Sequence, residues 1–151
     1  MDIKERILSD LKEAMKSKNA EKTLLLRSLK AKILEKEISE RKGGESVLNN
    51  DQVIEVLMKA AKQRKESIDQ FEQGNRQELA DKEKRELVLI EAYLPEMMSE
   101  DEIRIEVQNQ IQSMNASGMQ DMGKVMGAMM GKLKGKADGS MISKIVKEEL
   151  S

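Results

Sequence analysis

The chain of 151 residues contains no histidine, no cysteine and no tryptophan, and only one tyrosine, one phenylalanine and one proline (Tyr93, Phe71 and Pro95). Each absence removes chemistry. Without cysteine there is no disulfide framework and no thiol nucleophile. Without histidine or cysteine the usual zinc and haem sites cannot be built, and Ser-His-Asp or Cys-His nucleophilic centres are impossible. An excess of one charge is also lacking: 27 basic residues face 28 acidic ones, for a net charge of −1. That is not the composition of a strongly basic nucleic-acid binder. No apolar run approaches the roughly 20 residues of a membrane span, and the opening MDIKERILSD has no apolar signal core. The expectation is a cytoplasmic protein with no membrane partner.

What is present is charge of both signs, interleaved over 36 % of the chain, as in soluble helical proteins. Two compositions meet near Pro95. Six of the nine glycines lie within residues 118–139, and nine of the twelve methionines lie at or beyond Met97. Residues 122–137 carry Lys124, Lys132, Lys134 and Lys136 and no acid. The chain therefore reads as all-α, with a four-helix domain over 1–95 followed by a small three-helix domain over 96–151.

Period-3.6 patterning predicts the helices. The first, about 2–18, carries Ile3, Ile7, Leu8, Leu11 and Met15 on one face. The second, about 20–41, has a core stripe of Leu25, Leu29, Ile33 and Ile38, with Glu37 placed to pair with Arg41. Lys42 to Ser46 reads as a loop. Asn50 caps a third helix to about residue 73, ended by Gly74-Asn75 in left-handed geometry. The fourth, about 76–92, sets Glu78 against Lys82 and Asp81 against Arg85, and Tyr93-Leu94-Pro95 closes it. Ser99 and Glu102 form a capping box for the fifth. A short sixth helix over about 121–133 is capped by Asp121, and Ser140 caps the seventh, whose face is Ile142, Ile145, Val146 and Leu150.

Few features carry chemistry. Gly118 to Lys124 matches the start of a P-loop, but Val125 follows instead of Ser or Thr and a helix precedes it instead of a strand, so a loop leading into a helix is the better reading. Gly123, Gly127, Gly131, Gly135 and Gly139 recur every four residues. An interior glycine costs a helix about 1 kcal/mol against alanine, so the run needs a reason. Close helix packing is favoured over bare backbone offered to a ligand. Lys132, Lys134 and Lys136 complement the helix dipole or contact phosphate, and charge alone favours the former. With no aromatic beyond Tyr93, base stacking by the tail is excluded, which leaves recognition of folded RNA through its backbone. Met122, Met126, Met129 and Met130 share a helical face and read as core.

The motifs together resemble one family. Lys62-Gln63-Arg64-Lys65-Glu66-Ser67-Ile68 with Phe71, Gly74, Arg76 and Tyr93-Leu94-Pro95, preceded by Leu26-Arg27-Ser28-Leu29-Lys30-Ala31, resembles the central signature of the YqeY family. Asp121 to Gly127 and Lys134 to Gly139 resemble its tail motif, although Gly131 stands where proline is common. The resemblance implies an all-helical module like the C-terminal tail of GatB, a subunit of tRNA-dependent amidotransferase. A similar module is fused to some glutaminyl-tRNA synthetases and helps hold tRNA. It implies a non-catalytic tRNA-binding accessory, acting with an amidotransferase or aminoacyl-tRNA synthetase, monomeric and weak in binding on its own. It also raises two alternatives: a component of a carbon–nitrogen ligase with glutamine as amido-nitrogen donor, or a helical protein–protein adaptor. The residues carried over as nucleic-acid-binding are Gly123, Lys124, Gly127, Lys134, Gly135 and Lys136, with Lys132 added from the acid-free stretch. No catalytic residue, metal ligand or cofactor is expected.

Overall fold

A computed structural model describes residues 2–40 and 47–151. Among them the chain is helical throughout, with no strand. It divides into two compact units, Met1–Leu94 and Pro95–Ser151.

The first unit holds α1 (Ile3–Lys16), α2 (Ala20–Ser39), α3 (Asn50–Gln73) and α4 (Gln77–Glu91). Side-chain oxygens begin three of them, because the first backbone N–H groups of a helix have no partner within it. Asp2 and Glu5 form a reciprocal capping box on α1, Asn19 accepts from Lys22 N on α2, and Asn49 pairs reciprocally with Gln52 on α3. The capping residue of α3 is thus Asn49, not Asn50. The Asn50 carboxamide oxygen instead accepts from Ile3 N at 3.1 Å, tying the start of α1 to α3. Left-handed geometry after α3 falls on Asn75 (φ 56), while Gly74 stays at φ −86.

Ile7, Leu26, Leu29, Leu57 and Ile90 are fully buried at the centre of this unit. Two expected core positions are replaced by neighbours: Met15 is exposed and Ala14 buried, and Ile38 is exposed while Glu37 is buried. The reason for the second is that Glu37, not Ile38, turns inward and binds Lys4 at 2.6 Å. The expected Glu37–Arg41 pair and the Lys42–Ser46 loop lie outside the described residues. The expected pairs on α4 are also redirected: Glu78 meets Arg76 at 3.0 Å and Arg85 meets Glu21 at 3.1 Å. Tyr93 does more than close α4. It is buried, its hydroxyl donates to Asp10 at 2.5 Å, and the Arg6 guanidinium lies 5.2 Å from its ring centre. Burial first, and then the hydrogen bond to Asp10, raise its pKa.

The second unit holds α5 (Glu100–Met114), α6 (Met122–Lys132) and α7 (Gly139–Leu150), with a 3-10 turn at Met119–Asp121 before α6. Its core is Ile103, Val107, Val125, Met129, Leu133, Ile142, Ile145 and Val146, the faces expected from sequence with Val125 and Leu133 added. Arg104 joins α5 to α7, reaching Glu148 and Glu149 at 2.7 Å each and Glu100 at 3.3 Å. The hydrogen bond from Arg104 holds the Glu148 carboxyl below its ordinary range. Of the expected capping box on α5, the Ser99 half forms, with Glu102 N donating to Ser99 Oγ at 3.2 Å. Asp138 caps α7 by accepting from Ser140 N at 3.1 Å, in place of Ser140 itself.

Candidate nucleic-acid interface

The candidate residues lie on α6 and on the loop that follows it. Val125 and Met129 point α6 at the core, with Met122 and Met126 half-buried beside them. At about 100° per residue, Gly123, Gly127 and Gly131 then fall on the opposite side, and all three are exposed. A Cβ built on any of them would meet nothing within 4 Å. The expectation that these glycines serve close packing is therefore corrected within their own unit: among its described residues nothing lies within 4 Å of a Cβ built on them. Met130, expected in the core, is likewise exposed, with its methyl lying over Gly139.

The outward surface of α6 is thus a strip of bare backbone, bordered on one side by the exposed Met130. A helix leaves its hydrogen-bonding groups accessible where side chains are absent, at a cost in stability. Lys124 borders this surface and is exposed. Lys132 points elsewhere and is held by Glu106 at 2.9 Å. Asp121 does not cap α6; its carboxylate turns back to accept from Ser117 N at 2.9 Å. With Gly118 leading into a 3-10 turn, and no strand before it, the P-loop resemblance has no structural counterpart.

Beyond α6 the chain alternates. Leu133, Gly135 and Ala137 are buried, while Lys134 and Lys136 are exposed. Gly135 makes the alternation possible. It has φ 77 and sits inside the unit, a combination that favours glycine because a Cβ there crowds the following carbonyl. The loop is fixed by its own backbone: Lys136 N and Ala137 N donate to Leu133 O at 2.9 and 3.2 Å, and Lys136 O accepts from Met98 N at 2.9 Å. The two ammonium groups are therefore presented from an ordered turn. The structure brings Lys134, Gly135 and Lys136 together on this turn and Gly123, Lys124 and Gly127 on the outer side of α6. Lys132 lies on α6 away from the glycines and pairs with Glu106. Among the described residues, no group of three or more His, Cys, Asp or Glu side chains is placed to hold a metal ion, and no helix is long and apolar enough to cross a membrane.

Relatives give this arrangement a context. Proteins named "Altered inheritance of mitochondria protein 41, mitochondrial" are similar to the chain. The one from Eremothecium gossypii is 40% identical over 85 residues, covering 56% of this chain and 45% of that protein. Those from Candida glabrata and Vanderwaltozyma polyspora are each 35% identical, over 88 and 85 residues, covering 58% and 56% of this chain and 47% and 44% of theirs. The match thus spans about half the length of these relatives. Their names correct the expectation of a cytoplasmic protein, since all three are named as mitochondrial. The resemblance read from the Lys62–Ile68 and Asp121–Gly139 motifs extends over the whole fold: the family described as Yqey-like protein matches residues 4–150, and the chain belongs to it.

Proposed function

We propose that the chain is a non-catalytic tRNA-binding accessory module whose contact surface is the outer side of α6 and the turn after it. The observation that carries this reading is the exposed glycine face: Gly123, Gly127 and Gly131 open onto empty space. No packing within the described residues of this unit accounts for them, and each glycine weakens the helix. Bare backbone admits the close approach of a phosphodiester chain, and Lys124, Lys134 and Lys136 supply cations around it. Such contacts read shape and phosphate, which suits folded RNA. They also suit a chain without the aromatic platforms that single strands need. Amidation or aminoacylation of the held tRNA falls to a partner enzyme.

Lys124, Lys134 and Lys136 changed together to alanine test this by gel shift with tRNA. The expected result is weaker binding and a flatter dependence on salt, because phosphate contacts release counterions. Unchanged affinity and salt dependence would overturn it.

A further inference from the structure

The outer face of α2 is apolar where solvent would call for polar residues. Leu25, Leu26, Leu29 and Ile33 line the core, yet Leu24, Leu34 and Ile38 point away and are 67 %, 51 % and 54 % exposed. With Ala20, Arg27 and Ala31, also exposed, they are spaced four, three, four, three and four residues apart. That is the spacing of a seam built to meet another helix.

Beside the seam runs the groove between α1 and α2. One hollow of about 270 Å³ is lined by Ile7, Leu8, Ile33 and Leu34, with Lys4 and Lys30 at its edge. A second, more open one lies against Met15, Ala20 and Leu24, with Lys18 and Arg27 at its edge. The surroundings are mainly cationic: residues 22–34 hold Lys22, Arg27, Lys30 and Lys32 and no acid, while the exposed Glu35 stands beside Leu34 at the C-terminal end of the seam. Lys4 is matched by Glu37, and the nearby Glu21 is taken by Arg85. No carboxylate lies within ion-pair distance of Lys18, Arg27 or Lys30 among the described residues; the Arg27 guanidinium rests 3.4 Å from Met15 Sδ.

We infer that the α1–α2 face docks an acidic amphipathic helix of another protein. The seam and the two hollows take apolar side chains at helical spacing from the partner, and carboxylates beside those anchors meet Arg27, Lys30 and Lys18. A second copy of the same face is disfavoured by charge. Arg27 lies at the middle of the seam with Lys30 beside it, so a two-fold pairing of α2 with itself centred there sets like charges together. A nucleic acid satisfies the cations but leaves Leu24, Leu34 and Ile38 in water. This inference stands apart from the tRNA reading, which concerns α6.

Two synthetic three-heptad helical peptides test it. Both carry leucine at the seam positions, one with glutamate and the other with lysine at the flanks, and each is titrated into the isotope-labelled full chain and followed by amide shifts. The glutamate peptide is expected to shift resonances of α1 and α2, to bind about tenfold more tightly than the lysine peptide, and to lose about tenfold on Arg27→Glu. Leu34→Ser, at an exposed position that leaves the fold intact, is expected to weaken it independently of charge. No binding, equal binding of both peptides, or self-association of the chain through this face would overturn the inference. So would a preference of the face for anionic phosphatidylglycerol vesicles or tRNA over the glutamate peptide, abolished by Leu34→Ser.

Discussion

Two stretches of the chain carry four cations and no acid, residues 22–34 on α2 and 122–137 on α6 and its turn. Their inner faces are alike, with Leu26, Leu29 and Ile33 in one and Val125 and Met129 in the other fully or almost fully buried. Their outer faces are opposites. α2 shows Leu24, Leu34 and Ile38 to solvent, while α6 shows three glycines with open space beyond. Cations beside large apolar side chains suit a protein surface, and cations beside bare backbone suit a phosphate chain. On the two readings proposed above, the same charge serves two partners according to what stands next to it.

The contrast between inner and outer faces is broken most strongly from inside. Leu29→Ala, in the core, is expected to lower unfolding free energy by about 2–5 kcal/mol in denaturant titration. Leu34→Ser on the outer face of the same helix is expected to change it by less than about 0.5 kcal/mol. Next comes the turn that presents Lys134 and Lys136. Gly135→Ala forces a Cβ into left-handed geometry at a buried position, and a loss of about 1–2 kcal/mol is expected from calorimetric unfolding.

The smallest effect concerns acid. Glu148 is held below its ordinary value of 4.5 by Arg104. A depressed carboxylate stabilises the fold above its unfolded pKa, and that contribution is lost as pH falls through the folded one. The tail unit is therefore expected to weaken below about pH 4.5, and Glu148→Gln to remove that part of the acid sensitivity. Circular dichroism at stepped pH measures both.

Much of this architecture was legible because helical period and caps are local. Every helix is visible in the spacing of Leu, Ile, Val and Met, and Ile142, Ile145, Val146 and Leu150 are buried as their phase demands. Partners in space were less legible. Glu37 turns inward because Lys4 comes from another helix, and Arg85 leaves Asp81 for Glu21, 64 residues away in sequence. The caps shifted by one or two residues, since Asn49 and Asn50, or Asp138 and Ser140, both offer side-chain oxygens able to accept from a free helix N–H. Around the candidate site, the sequence favoured packing for Gly123, Gly127 and Gly131, which stand open, because a packed ridge and an open one have the same spacing. The outer seam of α2 was hidden by the core stripe beside it, since apolar residues on both sides leave little amphipathic contrast. Its signal was nonetheless present in the four-three spacing from Ala20 to Ile38.

The central claim is that α6 carries its glycines for a ligand and not for the fold. Gly127→Leu puts a strong helix former at an exposed position with nothing within 4 Å to obstruct its Cβ. Measured on one preparation, thermal stability is expected to hold or rise while tRNA affinity in a fluorescence titration falls by about tenfold or more, equivalent to about 1.4 kcal/mol. Undiminished tRNA affinity in a variant that is equally or more stable would contradict the account.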